Sequence, residues 1–385
     1  MGKGQRLAIG LVGLGIVFVS ASVWLVLTTR QDQQLRQNAT EPEAIDSELF
    51  LQDVTLEQSD QDGNILWRVK ADEVTYGPDR KVAQVTNPDG ELFQDGRVVY
   101  RVTAERGQIR ENGKVIFLED NIVARGIDNK MVLRGQQLEW HPDQDEMILR
   151  DGITGDHPQV DATAQEARIY NQAQRIELIG NVVATSVVED PQTEPWVKLQ
   201  TEWLEWLWAE ERLRTDRPLT VEQFEQEKVR DSVTGQRGEM DLARRIVTLR
   251  DDVNLQLLEF PLQARSNLMT WLIAEEKIRI NQPLRLNQPE EKITITAQRG
   301  VMDLRRTVAV LQQQVKAVGQ TRDSQLTADQ MTWDGTDQTI VATGNVFYQQ
   351  GDPAITMRGP RAVGRLDNET IVVNGGRVVT EITPD

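Results

Sequence analysis

From Leu49 onward apolar and polar residues alternate with a period of two, which places one face of each strand on a core. A small residue recurs at Ala71, Ala104, Gly135, Ala164, Thr201, Gly235, Ser266, Ala297, Ala328 and Gly359, and the last six stand 34, 31, 31, 31 and 31 residues apart. The chain is therefore read as a repeat array of about ten units. Two residues before each small position the chain is apolar throughout. Four before stand Trp67, Tyr100, Met131, Val160, Val197, Asp231, Leu262, Ile293, Ser324 and Ile355, where only Asp231 and Ser324 are polar. After the small residue the next apolar positions fall three and five residues on, so the parity changes. Two successive polar residues at that crossing predict a bulge that bends each strand from one sheet wall to the other.

The fifth residue after the small one alternates between units. It is Tyr76, Trp140, Trp206, Trp271 and Trp333 in the odd units, and Ile109, Ile169, Met240, Met302 and Gly364 in the even ones. Three residues after the small one, Val74, Leu138, Leu204, Met269 and Met331 alternate with Gly107, Ala167, Gly238, Gly300 and Ala362. The deeper period is thus about two units. Asp120-Asn121, Asp151-Gly152, Gly180-Asn181, Asp251-Asp252, Gly344-Asn345 and Gly375-Gly376 read as hairpin signals, because these residue types tolerate positive φ. Each unit then supplies at least two antiparallel strands, about twenty bent strands in all.

Ahead of the array, Leu7 to Leu27 is uncharged, mostly apolar and about as long as a bilayer core requires. Lys3 and Arg6 before it predict a cytoplasmic N-terminus and a translocated remainder. A cleaved signal peptide is the competing reading, from the small residues Ser20, Ala21 and Ser22. Arg30 to Ser47 reads as a polar tether. The stretch around Asp190-Pro191 and Glu194-Pro195, and a polar run from Glu222 to Asp231, read as loops or a joint between two lobes. Trp203 and Trp208 stand outside the repeat pattern there.

The net charge of −17 excludes a nucleic-acid partner, whose phosphates require a basic face. With no cysteine there is no disulfide, lipid-modified cysteine or thiolate metal site. His141 and His157 each precede a proline and read as solvated turn residues rather than metal ligands. No phosphate loop, nucleophile elbow or zinc spacing occurs, so neither an enzyme, a cofactor nor a metal is expected. Arg106, Arg237, Arg299 and Arg361 recur two residues after the small one and read as a solvated outer row with cross-strand pairing. What remains is an apolar interior, either a filled core or an open groove.

The segments LFLQDVTLEQSDQDGNILWRVKADEVTY (Leu49 to Tyr76) and TAERGQIRENGKVIFLEDNIVAR (Thr103 to Arg125) resemble the LptC family of lipopolysaccharide transport and its OstA-like relatives. The resemblance rests on Asp62-Gly63 through Trp67 to Ala71, and on small-residue segments followed by Asp120-Asn121-Ile122, Gly180-Asn181-Val182 and Gly344-Asn345-Val346. It implies an all-β, elongated, twisted antiparallel β-jellyroll (a β-taco) behind one transmembrane helix. The expected division is anchor 1–29, linker 30–47, LptC-like jellyroll 48–186, joint or loop 187–198, and a continuing LptA-like jellyroll 199–385. That length exceeds a typical family member.

The resemblance further implies a non-enzymatic part of the lipopolysaccharide export bridge, anchored in the inner membrane with a periplasmic body. It would take lipid from the membrane subunits of an ABC transporter toward an LptA-like bridge or an LptD-like outer-membrane protein. Trp67, Tyr76, Ile109, Trp140, Ile169, Trp206, Met240, Trp271, Met302 and Trp333 are the expected groove lining, with the odd-unit aromatics on one wall faced by the even-unit residues. Arg377, Val378, Val379, Thr380, Glu381 and Ile382 form the expected edge strand for partner pairing. The other reading is a membrane-anchored structural or adhesive solenoid with a filled core and no lipid.

Overall fold

The computed structural model describes residues 49–382, apart from 61, 78, 259–260, 321–322, 352–353, 368–369 and 377. The expected anchor and linker, and Arg377, lie outside the described residues. Among the described residues no helix is long and apolar enough to cross a membrane.

Period-two alternation yields long strands that follow one another and pair antiparallel, as Val115–Gly126, Val132–His141 and Glu146–Asp156 do. Among the described residues a single sheet of 28 segments results. Seven crossings are split in two at the bend, so these segments make 21 full crossings. The apolar faces form one continuous cluster from Trp67 to Ala362.

The bend has a definite construction. Glu119 pairs with Gln137 and Ile122 with Gly135, so Asp120 and Asn121 together oppose the single residue Gln136. Both take positive φ, 66° and 50°. Two consecutive left-handed residues form a bulge that resets which face points inward. The same device recurs at Gln313-Gln314 against Asp329 and at Gly344-Asn345 against Pro360. The recurrent small residue pairs with the residue just past the doublet, as Gly135 does with Ile122 and Ala328 with Val315. At Pro218 and Pro283 the ladder breaks at the bend, where proline has no N–H to give, whereas Pro360 sits at the bend of the unbroken strand Ile355–Arg365. The two breaks split Arg212–Thr215 from Leu219–Glu225, and Lys277–Ile280 from Leu284–Gln288.

The doublets read as hairpins are therefore mid-strand bends. Residues on both sides of Asp120-Asn121 pair with the same neighbour, Val132–His141, and not with each other. Gly375-Gly376 likewise separates Thr370–Asn374 from Val379–Ile382, both of which pair with Ile355–Arg365. Several of the true hairpins lie at the strand ends in short 3-10 turns: Glu111–Gly113, Pro142–Gln144, Trp208–Glu210 and Ile273–Glu275. The loop after Arg175–Ser186 ends at 195, because Trp196–Leu207 is already strand. The sheet runs on across it, with Thr185 opposite Lys198 and Arg175 opposite Leu207. Glu222 to Asp231 is no joint either but a hairpin between Leu219–Glu225 and Lys228–Gly235, with Gln223 and Asp231 buried in register.

Candidate functional site

Every strand contributes one half to a first wall, before the small residue, and the other half to a second wall beyond it. Across the second wall one row of inward residues can be followed strand by strand. It runs Tyr76, Ala83, Ile109, Ile116, Trp140, Met147, Ile169 and Ile176. It continues through Trp206, Leu213, Met240, Val247, Trp271, Ile278, Met302, Ala309, Trp333 and Ile340 to Gly364 and Ile371.

Nine of the ten residues expected to line a groove thus share one row. The even-unit residues do not face the aromatics from the opposite wall. They alternate with them on the same wall, because a two-strand unit returns each fifth position to the same side of the bend. Trp67 alone belongs to the first wall, opposite Leu92. All ten are buried except Tyr76, which is half-exposed at the start of the row.

The slim positions three residues after the bend are filled by neighbours. A methyl group on Gly107 would stand 2.7 Å from Leu118 Cδ2 and 2.8 Å from the Phe117 carbonyl oxygen. On Gly300 it would meet Leu311 at 3.0 Å and Leu284 at 3.2 Å.

The walls meet along the margin opposite the bend. Trp67 Nε1 donates to the Gly113 carbonyl at 3.2 Å, and Gln159 Nε2 to Glu211 Oε1 at 3.3 Å. Asn171 donates to Gln94, and Arg230 Nη1 reaches Glu276 Oε2 at 3.7 Å. Apart from Trp67, sequence reading missed these residues. The one visible signal was Asp231, polar where the repeat is apolar: it is buried beside Arg230, whose Nε donates to its carboxylate at 2.9 Å. His157 is not a solvated turn residue. Its ring meets Trp206 edge-on at 4.6 Å, and burial lowers its pKa. His141 is half-buried against Glu139, 2.9 Å away. Burial raises the Glu139 pKa, but hydrogen bonds from Arg150 and His141 outweigh this and leave it lowered.

The interior between the walls is largely filled. A cavity of about 20 Å³ lies among Leu133, His157, Leu178 and Trp206. Others of about 30 Å³ and 10 Å³ flank Trp333. A further space of about 140 Å³, open to solvent on one side, lies beside Gly364.

Charges sit on the outer faces. Arg106 and Arg237 donate from Nε to Asp120 at 2.8 Å and Asp251 at 2.6 Å, so these members of the arginine row brace the bend. Arg150 joins Glu139 and Glu166 at 3.1 Å each, and the covered Glu205 is held between Arg175 and Arg214. Trp203 is half-buried on this outer face and Trp208 packs onto the core from its turn.

Of the expected pairing strand, Val379–Ile382 is present and pairs with Ile355–Arg365. Val378 and Val379 are exposed. At the other end Leu49–Ser59 pairs with Ile65–Tyr76, and Leu49 and Phe50 are exposed.

The profile of the family described as lipopolysaccharide-assembly, LptC-related, matches twice, over residues 14–185 and 130–254. The chain belongs to the LptC-related family. The two matches overlap over 130–185, as a repeated LptC-like pattern allows when it can be entered at more than one register. A search of curated proteins gave no match. Among solved structures, the crystal structure of LptH from Pseudomonas aeruginosa is similar at 13% identity. It is described as the LptA-homologous periplasmic component of the lipopolysaccharide transport device. The alignment covers 31% of this chain and 82% of that one, with a TM-score of 0.28.

Proposed function

We propose that this LptC-family chain is a non-enzymatic component of the lipopolysaccharide transport bridge, and that its two walls part to hold acyl chains against the inner row. The observation that carries this reading is that row: twenty inward positions in unbroken register, almost all apolar, running through every crossing from Tyr76 to Ile371. An apolar track of this kind offers an alkyl chain a similar environment at each step, so movement along it meets no large barrier. The energy for movement then comes from a partner ATPase.

The walls open more readily at one margin than at the other. At the bend they are joined by the chain itself, and most crossings run through it as unbroken strands. At the opposite margin side-chain contacts bridge them, each with a net contribution of about 1 kcal/mol. Lipid therefore enters sideways, past contacts such as Gln159 to Glu211 and Arg230 to Glu276. In this reading the N-terminal segment anchors the chain in the inner membrane beside the transporter's membrane subunits, and the body is periplasmic. The edge strands Leu49–Ser59 and Val379–Ile382 add to partner sheets, an LptA-like or LptD-like protein among them.

A structural solenoid with a filled core is the second reading, and the small cavities beside Trp206 and Trp333 favour it. One experiment separates the two. A photo-crosslinking amino acid at Trp140 or Trp271 is expected to give lipopolysaccharide adducts in cells, and one at the outward Thr332 none. The chain has no cysteine, so a Gln159→Cys, Glu211→Cys pair can be closed with a reducible thiol-to-thiol crosslinker and reopened without competing thiols. Closing it is expected to abolish the Trp271 adducts and reduction to restore them. Absence of adducts at both inner sites in the reduced protein leaves the filled solenoid.

A further inference from the structure

Gly364 is the one glycine in the inner row, at the place where the other even units carry Ile109, Ile169, Met240 and Met302. Nothing in the backbone requires it. Its φ is not in the left-handed region, and a methyl group there would approach only the carbonyl oxygens of Thr370 at 3.8 Å and Ile340 at 3.9 Å, ordinary contact distances. Gly107, Gly238 and Gly300 are different, since a methyl group on each would press at 3.0 Å or less on a packed leucine. The missing side chain at 364 leaves space instead.

That space is the cavity of about 140 Å³. Ile293, Leu326, Ile340, Leu366 and Ile371 form its apolar lining, while Glu291 and Arg365 stand among its polar residues. An apolar cavity of roughly 150 Å³ is enough to hold a six-carbon ring. Ile293, Ile340 and Leu366 also line the cavity of about 10 Å³, whose next wall is Trp333. Trp333 in turn borders the cavity beside Arg230 and Asp231. The indole thus stands between the two small cavities, on the filled side of the Gly364 space.

We propose that the Gly364 cavity is a preformed seat for one alkyl segment of a single-chain or multi-chain amphiphile, occupied while the rest of the interior is closed. The inference rests on the lipid-carrying reading above and adds to it a fixed holding site in the last unit. The apolar lining takes the alkyl segment, and the polar residues of mixed sign, Glu291 and Arg365, leave the head group in water.

The test uses the full chain in lipid nanodiscs and dodecanoic acid carrying a terminal diazirine. After photolysis, adducts are expected on peptides containing Leu326, Ile340 and Ile371, at least fivefold above those containing the outward Val310. Gly364→Ala, which leaves most of the space, is expected to retain labelling. Gly364→Met, which installs the side chain other units carry, is expected to lower it at least fivefold with an unchanged melting midpoint. Should Gly364→Met not fold, Ile371→Trp fills the same space from the adjacent strand and must give the same loss. Equal labelling of Gly364→Met and wild type, or adducts spread evenly onto Val310, overturns the seat. If that happens while lipopolysaccharide adducts persist at Trp271 in cells, the seat alone fails; if both are missing, the lipid-carrying reading fails with it.

Discussion

Thr201 donates its hydroxyl to the carbonyl of Pro218 at 3.0 Å across the bend, and Ser266 does the same to Pro283 at the same distance. Hydroxyls occupy the small position in these two units, where the facing strand is broken by proline. The break removes a ladder donor, and the hydroxyl supplies one. Thr201 Oγ1 also lies 3.2 Å from Thr215 Oγ1, which donates to the Trp203 carbonyl at 2.6 Å. Thr201→Ala is therefore expected to cost about 1–3 kcal/mol, the penalty for a buried acceptor left unpaired, although alanine fits this position in other units. Thr201→Ser keeps the bond and gives up one buried methyl, so it is expected to cost about 0.8 kcal/mol and to stay more stable than Thr201→Ala. Urea denaturation of the three proteins gives the comparison.

Gly300 reads in sequence as a slim partner to bulky neighbours, which makes Gly300→Trp a plug for an open interior. The packing assigns it another outcome. Leu311 and Leu284 already fill that space, so a tryptophan displaces core side chains and destabilises the sheet. Even Gly300→Ala is expected to cost about 1 kcal/mol, and Gly107→Ala about 2–3 kcal/mol, within the range for overpacked cores. The order follows from what must move: leucine methyls at Gly300, the Phe117 carbonyl as well at Gly107. Equal melting midpoints for the two variants would contradict this packing.

Acidification acts on the margin through His157. Burial against Trp206 lowers its folded pKa below the ordinary 6.5, with Glu211 and Asp161 opposing the shift and Lys130 reinforcing it. The unfolded chain then binds the proton more readily than the folded one. The stability contributed by neutral His157 is complete above pH 6.5 and declines as pH falls through that value toward the folded pKa. His157→Phe keeps an aromatic ring and removes the titration, so its melting midpoint is expected to fall less between pH 7.5 and 5.5 than that of wild type. Parallel curves would show that His157 does not contribute to the acid response.

That the odd-unit aromatics share one wall is legible in the sequence because it is carried by spacing. Trp140, Trp206, Trp271 and Trp333 recur at one offset from a small residue, and a strand period of two converts equal offsets into one face. The bend was legible too, as the change of parity after Gly135 or Ala328. The doublets on the facing strands are what the sequence disguises. Asp120-Asn121 and Gly344-Asn345 have the left-handed preference of a hairpin turn, and a mid-strand double bulge requires the same φ values. The true turns use Asp145, Glu211, Arg245 and Glu276 at positive φ, and Glu211, Arg245 and Glu276 are not residue types that advertise a turn.

By itself, then, the sequence determined the all-β class, the repeat, the bent strand and which fifth-position residues point inward, since each depends on residues near one another in the chain. Only the tertiary structure decided that Tyr76 to Trp333 and Ile109 to Met302 share a wall, that Gln159 meets Glu211 and Arg230 meets Glu276 across the margin, and that Gly364 adjoins open space while Gly300 does not. Those relations depend on register and on which side chain fills a neighbour's vacancy, and residues 46 or 52 positions apart carry no local signal of meeting. The burial that joins them is non-directional, and it acquires a geometry only when the two walls close on each other.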